Sequence, residues 1–414
     1  MGKVNVAHLK EGMVLATNLV DTTGRCLLAQ GAVIQQKHIR IMKSWGITEA
    51  DVKDIDQEQA ASEAMAEIDP FLARKCEDYV TPFFRNSNQD HEVMKEIRRL
   101  TVTRLAKRWS ENPGLEEVSV DLDAVEVSER LPDENVIPLQ KLVANGQLAS
   151  FPDIYFRIDK ALRDPKSSVS HLADIISTDT SLSAKLLRLA NSAFYGLPSK
   201  TDSVTRAITL IGTKEISTLA TGILAIRYFK DIPQKLINME AFWTHSVACG
   251  LFASILAQRK IGFSEEKFFI GGLLHDIGRL IMAVGLPQSM AHTVILSRKR
   301  SVPLNVVEAE IFGFDHTQTA ALLMQKWEFP ATLENMVRFH HDPVLSPNPL
   351  EASIIHVADI MAIAFQFGHS GEVMIPPLNV KAWEALAVSQ SVIEPTLDQA
   401  ERLVNETIKD FLYE

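Results

Sequence analysis

From Val136 onward the chain repeats apolar residues at three-four spacing almost without interruption, a pattern that commits this stretch to helices packed on helices. In "TSLSAKLLRLAN", Leu182, Leu186, Leu189 and Ala190 fall on one stripe suited to burial. Start signals accompany the period. Ser168 precedes "VSHLADII" and Asp179 precedes "TSLSAKLLRLAN", each offering a side-chain oxygen to amides that a first helical turn leaves unpaired. The expected fold is mainly α, a helical bundle, preceded by a small β-rich module.

The rest of the chain divides by composition. Residues 1–55 read as the β-rich module: "KVNVAHL", "MVLATNLVD" and "RCLLAQGAVI" are short and β-branched, and Asp21-Thr22-Thr23-Gly24 is suited to a hairpin turn. "QQKHIRIMKSWGI" then sets Ile41, Met42 and Trp45 on one helical face, with Gly46 as a stop. Residues 56–109 read as helical, ending in a cluster of Lys95, Arg98, Arg99, Arg104, Lys107 and Arg108 that is expected to pair with nearby acids on a solvated face. Residues 110–135 are acidic, contain Pro113 and Pro132 and lack a helical period, which marks a linker with room for one strand at "VSVDLDAV". Residues 136–414 form the main helical domain.

Charge and cysteine usage narrow the function classes. A formal net charge of −10 supplies no field to draw in nucleic acid phosphates and argues against nucleic acid as the primary partner. Cys26, Cys76 and Cys249 are far apart and form no CxxC pair, against a disulfide framework or a cysteine zinc site and in keeping with a reducing cytoplasm. "MGKVNVAHLKEGM" lacks the apolar core of a signal peptide, and no segment reaches about 18 uninterrupted apolar residues, so no membrane span is expected.

Within the helical region stand His245 in "FWTHSVACG", His275-Asp276 in "GGLLHDIGRLI", His316 in "FGFDHTQTA", His340-His341 in "VRFHHDP" and Asp359 in "HVADIMA". Imidazole and carboxylate suit divalent metals, and facing helices can hold them. Taken singly, each histidine reads as a hydrogen-bonded core residue, and on a helix the adjacent His340 and His341 would point about 100 degrees apart. Taken together, the ordered succession is informative.

That succession resembles the HD superfamily of metal-dependent phosphohydrolases, which includes the HD-GYP cyclic dinucleotide phosphodiesterases. The resemblance implies one ion held by His245, His275, Asp276 and Asp359, a second held by His316, His340 and His341, and Asp276 bridging them. Iron, manganese, zinc and magnesium are not distinguished. Two such ions would activate a water and clamp a phosphate oxygen, with Asp276 in the catalytic position if the site is active.

The domain as a whole resembles the HDOD branch, associated with signalling and generally without demonstrated catalysis. The resemblance rests on "FPDIYFRIDKALRDP", "IISTDTSLSAKLLRLANSAFYG", "SVTRAITLIGTKEI", "FWTHSVACGLFASILA", "FFIGGLLHDIGRLIM", "GFDHTQTAALLMQKWEFP" and "FHHDP", from about Leu142 to Ala364. Thr180 stands where that family usually has proline. Relative to the catalytic branches, "DPVLSPNPLEASII" has no Gly-Tyr-Pro motif, and Arg279 replaces lysine. Arginine binds phosphate but does not readily release a proton. The amino-terminal module resembles one found ahead of some HD-GYP and HDOD domains.

The resulting expectation is a cytoplasmic signalling adaptor that works by binding protein partners. The alternatives are a metal-dependent phosphohydrolase and a sensor that holds a nucleotide or other phosphate-containing ligand without turnover. For the adaptor, "LANSAFYGLPSKTDS" is the candidate surface: Asn191 and Ser192 could hydrogen-bond across a helix end, and Phe194 and Tyr195 are either core packing or a partner anchor.

Overall fold

The computed structural model describes residues 2–6, 9–20, 26–44, 47, 49–53, 69–112, 137–144, 151–192, 195, 200–229, 232, 237–260 and 262–412. The chain divides into two units. One comprises Met1–Pro82, Gln89–Ser119 and Val388–Gln399; the other comprises Phe83–Asn88, Val120–Ala387 and Ala400–Glu414.

In the first unit β1 (Gly2–Asn5) pairs antiparallel with β4 (Glu49–Val52), and β2 (Leu19–Val20) with β3 (Cys26–Leu28). With α1 (Gln36–Ser44), these elements enclose a small core built on Val4, Leu15, Ile34, Met42 and Val52. The strand that pairs with β1 is one the sequence did not mark. Strand β4 reads Glu-Ala-Asp-Val, with no β-branched run, and it is the alternate burial of Ala50 and Val52 that marks it as a strand. The expected turn at Asp21–Gly24, the stop at Gly46 and most of the acidic linker lie outside the described residues.

Helices α2 (Pro70–Val80) and α3 (Glu92–Glu111) follow. Three of the six basic residues on α3 pair with acids: Lys95 bonds Glu92 at 2.8 Å, Arg98 donates to Glu77 and also to Gln89, and Arg99 pairs with Glu96 and Glu394.

The second unit carries α4 (Leu139–Ala144), α5 (Asp153–Arg163), α6 (Val169–Ser177), α7 (Thr180–Ala190), α8 (Val204–Ile211), α9 (Thr213–Tyr228), α10 (Met239–Ala257), α11 (Glu265–Leu274), α12 (Ile277–Gly285), α13 (Pro287–Arg300), α14 (Leu304–Phe312), α15 (His316–Lys326), α16 (Ala331–Arg338), α17 (Pro349–Ala364) and α18 (Val380–Leu386), while α19 (Ile393–Leu412) runs across the division. The predicted stripe of Leu182, Leu186, Leu189 and Ala190 is buried. The surface helices are two-faced, but α10 is buried continuously from His245 to Ala257 and α17 from Ala352 to Ala364. A helix apolar all round has no solvent face to offer, so these two form the centre of the bundle. His245 and Asp359 are polar insertions in them. The stretch Glu265–Gly285 holds an 18-residue window of mean hydropathy 1.4, but that window is 89% buried in the fold, and the helix is interrupted at His275 and Asp276.

The cap assignments hold at atomic detail. Ser168 accepts from His171 N at 3.1 Å, and Asp179 accepts from Leu182 N at 2.9 Å while taking a 2.7 Å bond from Arg227 Nη1. Thr180 is therefore the first helical residue of α7, a position whose amide has no intrahelical partner, so that threonine and proline are both accommodated there. Asp179→Ala removes both the cap and the ion pair and is expected to cost about 1–2 kcal/mol. Urea unfolding should show a lower midpoint at unchanged slope; a wild-type midpoint would contradict the assignment.

Candidate metal centre

Six of the seven residues singled out from sequence are buried to 5% side-chain exposure or less, His341 is partly buried, and all seven meet in one place. His245 Nε2 lies 3.3 Å from His275 Nε2, 3.2 Å from Asp359 Oδ1 and 3.6 Å from Asp276 Oδ2. His275 Nε2 is 3.2 Å from Asp276 Oδ2 and 3.3 Å from Asp359 Oδ1. The other carboxylate oxygen of Asp276 faces the opposite way, 3.1 Å from His316 Nε2. His316 Nε2 in turn lies 3.5 Å from His340 Nε2 and 3.3 Å from His341 Nε2. Asp276 thus has one oxygen in each half of the cluster.

Local structure explains the convergence. The long apolar helix breaks at His275 and Asp276, and α12 restarts at Ile277, so both side chains project from a bend. Two residues later stands Gly278, where an added Cβ would collide with the carbonyl oxygen of His316. Only glycine allows that approach, which brings the start of α15 against α12 and His316 against Asp276. The helical spacing expected for His340 and His341 does not apply, because α16 ends at Arg338. In the turn beyond, both rings face His316, their own centroids 4.1 Å apart.

Hydrogen bonding fixes which nitrogen points inward for three of the five rings. His275 Nδ1 donates to Gly272 O at 2.6 Å, His340 Nδ1 to Val337 O at 2.7 Å, and His316 Nδ1 to Glu308 Oε2 at 2.6 Å. With the Nδ1 proton placed outward, the neutral ring presents a bare Nε2 lone pair to the interior, the arrangement that acceptors behind the ring impose on metal-binding histidines. Glu308, fully buried, also accepts from His316 N at 2.9 Å. It escaped the sequence reading; its only signal is a glutamate on the apolar side of "LNVVEAEIF".

The residues fit a cation on two further counts. Asp276 Oδ1 and Asp359 Oδ1 are buried with no hydrogen-bond donor directed at them. Four buried carboxylates, Asp276, Asp359, Glu308 and Glu372, lie around a single guanidinium, Arg279, which leaves an excess of buried negative charge. Buried charge of that kind needs a cation, a proton or a change of ionisation. Ions held here would supply Lewis-acid charge and could lower the pKa of a bound water.

The titration of the cluster shows what substitutes for that charge. Burial alone would raise the Asp276 carboxyl, but Arg279 and His275 hold it well below the usual range, and the adjacent His245 and His275 rings do the same for Asp359. Burial and Arg279 both push His316 down, yet the Glu308 and Asp276 carboxylates lift it to about 9. His340, desolvated and facing His275 and His316, is pushed down to about 3 and stays neutral.

Arg279 is the residue whose surroundings differ most from a phosphate clamp. Its Nη1 lies 2.7 Å from Asp276 Oδ2 and 2.5 Å from Ser370 Oγ, its Nε lies 3.3 Å from Glu308 Oε1, and the side chain is 2% exposed. Nearby Glu372 is raised by burial to about 6 and accepts from the amides of Leu304, Val373 and Met374.

Residues 148–343 match the HDOD domain. The chain contains an HDOD domain. A structure from Geobacter sulfurreducens described as an HDOD domain protein of unknown function aligns with a TM-score of 0.54 and 20% identity, over 64% of this chain and 93% of that one. A protein from Shewanella amazonensis provisionally designated a phosphohydrolase aligns with a TM-score of 0.53 and 23% identity, over 66% of this chain and 97% of that one. At these identities the likeness establishes the fold. An uncharacterised protein of Treponema pallidum is 27% identical over 232 residues, which is 55% of this chain and 44% of that protein, so the chain spans less than half the length of this curated relative. Asp359 lies beyond the matched HDOD stretch, and α17 returns it to the cluster.

The second set of expected residues, on the helix end after α7, has a different character. Asn191 Nδ2 donates to Thr201 O and its Oδ1 accepts from Thr201 N, both at 2.7 Å, tying the end of α7 to Thr201. Tyr195 is half-buried, and desolvation raises its phenol. Phe194 lies outside the described residues.

A pH dependence follows from the proton on His316. An ion bound at its Nε2 must displace that proton, so affinity is lost progressively as pH falls below about 9 and binding releases protons. Titration calorimetry with a divalent ion, repeated in buffers of differing ionisation enthalpy between about pH 6 and 9, should show tightening affinity and net proton release. Affinity independent of pH across that window would contradict the assignment.

Proposed function

We propose that this chain is a signal-transduction protein whose HDOD domain holds one or two divalent ions and acts by engaging a protein partner, without phosphoester turnover. The observation that carries this reading is the placement of Arg279. Phosphate chemistry at a two-metal site needs cationic or donor groups free to meet a substrate oxygen. Here the guanidinium is buried and committed to Asp276, Glu308 and Ser370, so it serves the charge balance of the cluster. The ligands are also nearly closed to solvent, as befits ions that hold helices in place.

The partner surface in this reading is the end of α7 at Asn191 together with Tyr195 and, as the sequence suggests, Phe194. A reducing cytoplasm is its setting. Free cysteines at Cys26, Cys76 and Cys249 agree with that setting.

A second reading, metal-dependent phosphohydrolysis, is favoured by the full set of convergent ligands and by the designation of the Shewanella protein. The two readings separate in one experiment. Protein loaded with manganese, iron or zinc is assayed against cyclic dinucleotides and generic phosphodiesters, beside a His275→Ala/Asp276→Ala variant shown by calorimetry to be folded. We expect no turnover above buffer from either protein. Robust wild-type hydrolysis abolished in the variant would establish the phosphohydrolase instead.

A further inference from the structure

The ligand cluster has a neighbour that the HD succession does not include. Cys249 lies one helical turn beyond His245 on α10, at the i,i+4 spacing that shares a face. Its Sγ, a ring nitrogen of His275 and a carboxylate oxygen of Asp359 lie within 4.8 Å of one another, and all three residues are buried. A free buried cysteine usually behaves as a small hydrophobe among apolar neighbours. This one faces an imidazole and a carboxylate.

The juxtaposition is built by backbone contact. A Cβ on Gly272 would sit 2.6 Å from the backbone nitrogen of Gly250, and a Cβ on Gly250 would sit 2.5 Å from the carbonyl oxygen of Phe269. The glycines let α10 and α11 touch along their backbones. Cys249 precedes one of these glycines, and His275 follows the other by three residues, so the contact carries the thiol to the imidazole. A second observation points to a ligand at the same place: Asp359 Oδ1 is buried without a hydrogen-bond donor directed at it.

We propose that Cys249 is a thiolate ligand of the ion held by the His245, His275, Asp276 and Asp359 half of the centre. Binding replaces the S–H bond with an S–metal bond and releases the proton to solvent. The half-site then offers nitrogen, oxygen and sulfur donors, which select zinc, iron or cobalt over magnesium or calcium. The other half, around His316, His340 and His341, holds no cysteine among the described residues. The two halves therefore differ in softness, and the softer ion belongs beside Cys249. The inference rests on the metal-binding reading above.

The test is cobalt(II) titration of the full chain after chelator treatment, followed by absorption. Wild type should develop visible d–d bands together with an intense near-ultraviolet thiolate-to-cobalt band. Cys249→Ser should keep the visible bands, lose the near-ultraviolet band and bind zinc more weakly by roughly 10-fold or more. Cys26→Ser/Cys76→Ser should keep both. If Cys249→Ser fails to fold, the wild-type and Cys26→Ser/Cys76→Ser spectra decide alone. Visible bands without a thiolate band in wild type, or a thiolate band that persists in Cys249→Ser, would overturn the proposal and leave the metal centre standing. Absence of any cobalt spectrum would overturn both.

Discussion

The carboxylate of Asp276 is the constraint around which the helical unit is arranged. One of its oxygens faces His245, His275 and Arg279, and the other faces His316. A carboxylate this deeply buried is costly unless each oxygen finds compensating charge, and removing a partner from a buried pair typically costs about 3–5 kcal/mol. The helix break at His275-Asp276, the bare position at Gly278 and the buried Glu308 behind His316 all serve that compensation. Without an ion, protons on His316 and His275 do part of the work, since the carboxylates raise both rings. Metal and proton are thus alternative occupants of the same nitrogens.

Arg279 gives this arrangement its particular outcome. A lysine at that position would present a compact, mobile charge, whereas the planar guanidinium spans Asp276, Glu308 and Ser370 at once. The same substitution that weakens the case for proton donation strengthens the buried network. In the adaptor reading proposed above, a domain built this way would keep its candidate metal-ligand set for its contribution to rigidity.

Much of this was legible in the sequence, and the reasons are physical. The three-four period marked the bundle because a helix must hide one face, and Ser168 and Asp179 marked helix starts because unpaired amides need acceptors. The seven candidate ligands were legible as an ordered set through family resemblance, not through local pattern: His245 and Asp359 sit on different central helices, and their meeting depends on α10 packing against α17. Glu308 and Ser370 were missed because a single polar residue in an apolar run does not declare its partner. Cys249 was set aside because cysteine spacing speaks only to disulfides and cysteine-rich zinc sites, and its proximity to His275 depends on the contact of Gly250 with Gly272. Strand β4 was missed because its four residues carry almost no β propensity. The helical turn expected at His340-His341 failed because α16 stops just before them.

The central claim is that Asp276 sits between two cation positions. Crystals of the protein grown with manganese, with diffraction recorded near the manganese absorption edge, test it directly. The account predicts anomalous-difference peaks on either side of the Asp276 carboxylate, one toward His245, His275 and Asp359 and the other toward His316, His340 and His341. A well-ordered cluster at saturating manganese with no peak beside Asp276 would contradict it.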